Sequence, residues 1–219
     1  MNSAPYSPPP PQPLDYLHID ASMLVVAKPG GLLSVPGRGA DKADCLISRV
    51  QLDFSDALIV HRLDMETSGL IVLARNPVAH RRLSILFQER EVQKRYVAVV
   101  HGIVPSDEGT LDYPLIADWP NRPLQRVDYE IGKPSMTHFR VCARDPDSFS
   151  TRLELKPVTG RTHQLRVHMM TLGHPILGDA LYGTPATNKT GRLHLHASSL
   201  ELKHPDSGRP LTFEHKPPF

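Results

Sequence analysis

At 219 residues the chain is long enough to bury a sizeable core, and one large domain accounts for its length. Lys plus Arg at 25 against Asp plus Glu at 23 leaves a formal charge of +2, so bulk charge alone does not announce a nucleic-acid binder. Two cysteines, Cys45 and Cys142, without CxxC spacing exclude a disulfide framework, no apolar run approaches the roughly 20 residues of a membrane span, and the N-terminus lacks a signal-peptide core, which together read as a soluble cytoplasmic protein.

Residues 1–13, "MNSAPYSPPPPQP", are proline-rich and read as a disordered or polyproline tail, leaving 14–219 as the folded region with a first strand beginning at Leu14. Met23 to Ala27 is a strand, closed by the loop "KPGGLLSVPGRG". Gly37 and Gly39 open a dinucleotide fingerprint, but no third glycine follows. Asp44 is expected to cap a helix carrying Leu46 and Val50 on one face. The aliphatic runs Leu58-Ile59-Val60 and Leu70-Ile71-Val72-Leu73 read as buried strands joined by "HRLDMETSG". Asn76-Pro77 starts a helix through Gln88, with Val78, Ile85 and Leu86 toward the core. In the strand Lys94 to Val100, a period of two puts Tyr96, Ala98 and Val100 on one face.

Residues 102–135 are loop-rich and contain "DWPNRP" at 118–123. Thr137, Phe139, Val141 and Ala143, then Thr151, Leu153 and Leu155, alternate as two half-exposed strands. "TGRTHQLRVHMMTLG" at 159–173 predicts a helix with Leu165, Met169 and Leu172 inward and Gly173 as its stop. Strands at 192–202 and 210–214 complete the chain. Many strands, hairpin-like neighbours and only three helices predict an α+β fold: a mixed, mainly antiparallel central sheet flanked by a few helices.

Asp64 sits on a connection between two core strands. An Asx-type turn onto Thr67 and Ser68, with Gly69 at positive φ, would explain an acid there. That turn does not explain Arg62, or the two hydroxyls that follow. Basic side chains gather nearby: residues 61–101 hold seven against four acids, and 152–168 hold four against one. A polyanionic partner would require this, and a solvated helix face would also produce it. Twelve histidines invite a metal, yet HExxH is absent, His163, His168 and His174 are spaced by five and six, and His194 and His196 have no acidic neighbour in sequence. No metal is expected. GxxxxGK[ST] and GxSxG are absent too.

"HRLDMETSG" at 61–69, "KRYVA" at 94–98 and "GRTHQLRVHM" at 160–169 resemble the successive motifs of the RluA family of RNA pseudouridine synthases, and "KPGGLLSVPG" at 28–37 resembles that family's opening loop. The likeness runs from about residue 14 to the C-terminus and implies the pseudouridine synthase fold, with no S4-type RNA-binding domain ahead of it. It implies an isomerase that needs no cofactor. The nucleophile would be Asp64, attacking either C6 of the base or C1′ of the ribose. Arg166 is the matching basic partner that would keep that acid ionised, and Arg161 is the weaker candidate. Tyr96 would stack on the target base and share in proton transfer, with Leu165 on the base's other side. Packing alone would also place Tyr96 and Leu165 inward.

Arg62 would enter the RNA in place of the flipped uridine, and His61 and Thr67 would complete the contacts around it. "DWPNRP" and "YEIGKPSMT" place the sequence beside the family's dual-specificity members, which modify a 23S rRNA uridine and a tRNA anticodon-loop uridine. The implied partners are those RNA stem-loops, with no membrane and no required protein partner, and the chain is expected to be a monomer. The alternatives are a tRNA-only member of the family, a non-catalytic RNA-binding module, and a metal-dependent hydrolase built on the histidines.

Overall fold

The computed structural model describes residues 6–219. In chain order its elements are β1 (Asp15–Ile19), β2 (Met23–Lys28), α1 (Leu46–Asp53), β3 (Leu58–Ile59), β4 (Ser68–Ala74), α2 (Pro77–Gln88), β5 (Gln93–His101), β6 (Glu108–Asp112), β7 (Leu115–Ala117), β8 (Gln125–Val127), β9 (Met136–Asp145), β10 (Ser150–Pro157), α3 (Gln164–Thr171), β11 (Leu195–Lys203) and β12 (Pro210–Glu214). The class is the expected α+β, with antiparallel ladders throughout the hairpins. None of the helices among the described residues is long and apolar enough to cross a membrane. The chain divides into two compact units, one holding the chain up to Gln93 with Ala197–Lys216, the other Lys94–His196 with Pro217–Phe219.

In the first unit the strands run β1-β2-β4-β11, with β3 on β4 and β12 on β11. Register explains its core. Met23 faces Ala74 and Val25 faces Val72 across the β2–β4 ladder, and these side chains form one apolar cluster with Ala79 and Leu83 of α2. The opposite face carries Leu24 against Leu73 and Val26 against Ile71, so both faces are apolar and Met23–Val26 are fully buried. Asn76 caps α2 as expected, its side chain accepting from Ala79 N at 2.8 Å ahead of Pro77. Val78, however, is 58 % exposed: Ala79 and Leu83 hold the buried stripe, because the helix turns its second residue away from the sheet.

One further expectation for this unit is corrected. Cys45, not Asp44, is the N-cap of α1; Ser48 closes the cap by accepting from Cys45 N, and Asp44 instead pairs with Arg49. Residues 6–13 carry no regular structure, yet Tyr6 donates to Asp44 O and accepts from Leu33 N, and Pro9 O accepts from Arg49. One tyrosine hydroxyl and one carbonyl give partners to a stretch that composition alone leaves unpacked. The rest of the tail, residues 1–5, lies outside the described residues.

The second unit orders its strands β5-β10-β9-β6, with β7 and β8 as a separate hairpin. Ala98 and Val100 of β5 share an apolar cluster with Phe139, Leu153, Leu155, Leu165 and Met169, and Tyr96 packs against it half-buried, which is the face the period of two predicts. Helix α3 begins at Gln164 rather than 159, since Thr159–His163 form a turn of their own. Its C-cap is Leu172, and Gly173 follows at φ +91, a left-handed conformation that suits glycine. The region 102–135 is less irregular than expected, holding β6, β7 and β8, each too short to show a period.

A polar clasp closes the first unit. Asp20 accepts from the amides of Ser22 and Met23 through Oδ1 at 2.7 and 2.8 Å, and from Nε2 of His18 and His204 through Oδ2 at 2.7 and 2.9 Å. Nδ1 of His204 accepts from Asp206 N and Ser207 N, so the proton of the neutral ring lies on Nε2. His18, Asp20 and His204 are close enough to hold a metal ion, but that proton already satisfies the carboxylate as a hydrogen-bonded clasp. Burial pushes the Asp20 carboxyl up, but the bonds from His18, the two amides and His204 outweigh it and hold it below the usual carboxylate range. Asp20→Ala should therefore cost about 2 kcal/mol at pH 7, read as a lower urea midpoint. A depressed carboxylate stabilises above its unfolded pKa and loses that contribution as pH falls through the folded value. The gap between variant and wild type should accordingly narrow below about pH 4, and a gap constant down to about pH 2 would contradict it.

Candidate active site

In the first unit, β3 returns to pair with the end of β4, Leu58 opposite Ala74 and Ile59 opposite Leu73, so residues 60–67 must form a closed excursion. The main chain of this loop is held at consecutive peptide units. Leu63 N donates to Ser34 Oγ at 3.1 Å while the same hydroxyl donates back to Leu63 O at 2.8 Å. Thr67 N donates to Asp64 O at 3.1 Å, and Lys28 Nζ donates to Met65 O at 2.8 Å. The turn around Asp64 is thus closed by a bond from Thr67 N to Asp64's carbonyl.

Lys28 and Ser34 both come from the opening loop "KPGGLLSVPG". Lys28 is 2 % exposed, and its ammonium also donates to Pro29 O and Leu32 O, at 2.8 and 2.6 Å. Burial lowers its pKa to about 7, with the charges of Glu66 and Asp64 acting in the other direction. Three carbonyl acceptors match the three hydrogens of the charged amine. His61 is anchored as well: Val72 N donates to its Nε2 at 3.1 Å, and its ring stacks on Phe87 of α2 at 4.3 Å between centroids. Gly69 is required for two reasons, its φ of +112 and a would-be Cβ at 2.3 Å from Ala197 O of β11.

Of the remaining expected residues here, Asp64 is half-buried and Arg62 is exposed. Thr67, expected at the RNA, is 2 % exposed, and its hydroxyl is buried without a hydrogen-bond partner; what it contributes is the amide that closes the turn.

In the second unit, Leu165 and Arg166 sit on the first turn of α3, at 7 % and 3 % exposure. Arg166 grips Asp179 with a bidentate fork, Nε to Oδ2 at 2.8 Å and Nη2 to Oδ1 at 2.7 Å. Asp179 Oδ1 also accepts from the amides of Leu181 and Tyr182. Burial pushes the Asp179 carboxyl up, yet Arg166's hydrogen bonds and charge with the two amides hold it below the usual carboxylate range. The fork engages two of Arg166's three nitrogens and fixes the plane of the third. Tyr182 lies under the guanidinium, its ring centroid 5.2 Å away.

Gln164 explains why "GRTHQLR" is shaped as it is. Its Oε1 accepts from Thr159 Oγ1 and Arg161 N, and its Nε2 donates to Met136 O and Thr137 Oγ1, so one buried amide ties the turn before α3 to β9. His163 takes a left-handed φ of 54 at the helix N-cap, and its Nδ1 meets Tyr182 Oη at 2.7 Å. Arg161 is exposed, its Nε donating to Pro134 O at 3.3 Å. Sequence reasoning missed Lys28, Ser34, Gln164 and Asp179. For Asp179 the Asx turn onto Leu181 and Tyr182 was a visible signal; its pairing with Arg166 was not.

A family model described as RNA pseudouridylate synthase matches residues 22–171, a span containing all four motifs. The dual-specificity RNA pseudouridine synthase RluA of Yersinia pestis is 52 % identical over 204 residues, 93 % of this chain and 98 % of the relative. RluA of Escherichia coli strain K12 is 50 % identical over 210 residues, 95 % of each. Among solved structures, human RNA pseudouridylate synthase domain containing 1 superposes with a TM-score of 0.78 at 29 % identity, covering 94 % of this chain and 84 % of that one. With nearly its whole length matched to relatives about half identical to it, the chain belongs to the RluA family of RNA pseudouridine synthases.

Proposed function

We propose that this enzyme isomerises uridine to pseudouridine in structured loops of both 23S rRNA and tRNA, in the cytoplasm, with Asp64 as its nucleophile. The relatives named above are dual-specificity enzymes, which supports two RNA classes rather than one. The observation that carries the assignment of Asp64 is the way its loop is held. Ser34, Lys28 and Thr67 bind the main chain before, after and at Asp64, so these groups fix the backbone from which the acid projects. Such preorganisation is what a positioned nucleophile requires.

The reaction breaks the bond between N1 of uracil and C1′ of ribose and forms one from C5 to C1′, while the C5 proton leaves and N1 regains one. Nothing is oxidised or reduced, and no external donor enters. Asp64 forms the transient covalent bond, to C6 or to C1′, and is released intact. Tyr96, half-buried at the edge of an apolar cluster, provides a flat face for the base and a hydroxyl for proton transfer. Leu165 packs on the base from the other side. Arg166 provides the fixed cation of the reaction; the Asp179 fork fixes the orientation of its guanidinium. Arg161 and His61 act beside these, Arg161 on RNA phosphate, His61 by steadying the loop.

Purified wild-type protein should form pseudouridine in both a 23S rRNA stem-loop and a tRNA anticodon stem-loop, mapped by mass shift after chemical labelling. Asp64→Asn should form none in either, with RNA affinity within about threefold of wild type, because the amide keeps the size but cannot add to carbon. Product from the variant near the wild-type rate would remove Asp64 as nucleophile, and product on tRNA alone would reduce the enzyme to one RNA class.

Arg62 is exposed and makes no hydrogen bond or ion pair among the described residues, so it is available to fill the space of a flipped uridine. Arg62→Ala should then slow single turnover far more on a stem-loop with a stacked target than on one whose target is already unstacked. Equal losses on both substrates, with the salt slope of binding shallower by about one, would make it a phosphate contact instead.

A further inference from the structure

The segment "DWPNRP" plays no part in the chemistry above, and its surface is unusual. Apart from Leu52, the three most exposed large apolar side chains among the described residues are Tyr129 at 74 %, Ile131 at 68 % and Trp119 at 66 %, all in and just after the β7–β8 hairpin. Trp119 is the chain's one tryptophan. It opens a short 3-10 turn, Trp119–Asn121, and the guanidinium carbon of Arg122 lies 3.1 Å from its ring centroid. The result is a planar cation stacked on a planar aromatic.

We propose that Trp119 and Arg122 form a second RNA contact, a stacking platform that takes an unpaired base of the substrate other than the isomerised uridine. The proposal rests on the RNA pseudouridine synthase reading above. Its charge is not cancelled locally. Arg122 has no ion pair or hydrogen bond among the described residues, while the adjacent acids are engaged elsewhere: Asp118 accepts from Asn121, and Asp128 accepts from Arg126 and from the amides of Glu130 and Ile131. An exposed aromatic backed by an uncompensated arginine suits a base with its phosphate, since every base offers a π face and the backbone supplies the anion.

The platform is also rigidly presented. Asp118 N donates to Leu124 O, Leu124 N to Asn121 O and Asn121 N to Asp118 O, which closes the tip on itself. At the hairpin's base, Leu115, Leu124 and Val127 pack on Val167 of α3 and on Tyr182. The Tyr182 hydroxyl accepts from Gln125 N at 2.8 Å and meets His163 Nδ1 at 2.7 Å, and its amide binds the same Asp179 that orients Arg166. A base stacked at the tip is thereby held in fixed relation to the helix carrying Leu165 and Arg166.

Because Trp119 is the sole tryptophan, its emission reports directly on the platform. Titrating the full-length protein with a tRNA anticodon stem-loop should quench that emission, whereas a fully paired duplex of equal length should not. Trp119→Ala and Arg122→Ala should each weaken stem-loop binding roughly tenfold, Trp119→Phe should restore most of it, and single-turnover pseudouridylation at saturating RNA should stay within about twofold of wild type. Unchanged emission on binding together with unchanged affinity in Trp119→Ala would overturn the platform while leaving the enzyme assignment intact. Self-association that Trp119→Ala abolishes at unchanged RNA affinity would overturn it in favour of a protein contact. Absence of any pseudouridine product would instead overturn the function, and the binding measurements would still decide the platform.

Discussion

Three hydrogens on the Lys28 ammonium, each given to a main-chain carbonyl, are the constraint on which the site in the first unit depends. Two of those carbonyls, Pro29 and Leu32, belong to the opening loop, and the third, Met65, belongs to the loop of Asp64. A loop of eight residues between strands would otherwise sample many conformations, and fixing each residue costs about 1–2 kcal/mol. Burying a cation to satisfy carbonyls looks wasteful for stability alone. It makes sense where one residue of the loop must stand in a defined place. Ser34 repeats the logic with a hydroxyl that both donates to and accepts from Leu63.

The second unit solves the same problem by other means. There the residue to be placed is a cation, Arg166, and an opposite charge does the placing. Asp179 is itself oriented by two amides, so the pair has one geometry, and Tyr182 beneath the guanidinium limits its tilt. Gln164 next to it has all its hydrogen-bonding capacity met by residues of β9 and the preceding turn. Buried polar groups on both units thus act through orientation, and the apolar clusters behind them provide the stability.

Much of this was legible in the sequence, for reasons that differ by element. Asn76-Pro77 and Gly173 bound their helices because cap residues act locally, and the face of Tyr96, Ala98 and Val100 followed from strand period. Val78 failed because periodicity says which residues share a face but not which way the first turn points. The supports of Asp64 and Arg166 were hidden for another reason. Lys28 reaches Met65 across 37 residues and Ser34 reaches Leu63 across 29, and in each case the partner is a main-chain group that carries no residue identity. The Arg166–Asp179 pair spans 13 residues, from within α3 into the loop beyond it, a separation that no helical or strand period marks. The short strands of 108–127 were invisible since three to five residues cannot display alternation.

The claim that the opening loop sets the position of Asp64 is tested most directly by single-turnover pseudouridylation with Ser34→Ala at saturating RNA. Ser34 is buried and hydrogen-bonds the nucleophile's loop through Leu63's main chain, so it has no chemistry of its own to lose. Small misplacement of a reacting group can cost about a hundredfold, so turnover should fall by that order with RNA affinity close to wild type, alongside a lower urea midpoint from the two buried hydrogen bonds lost at Leu63. A folded Ser34→Ala protein turning over at the wild-type rate would contradict it.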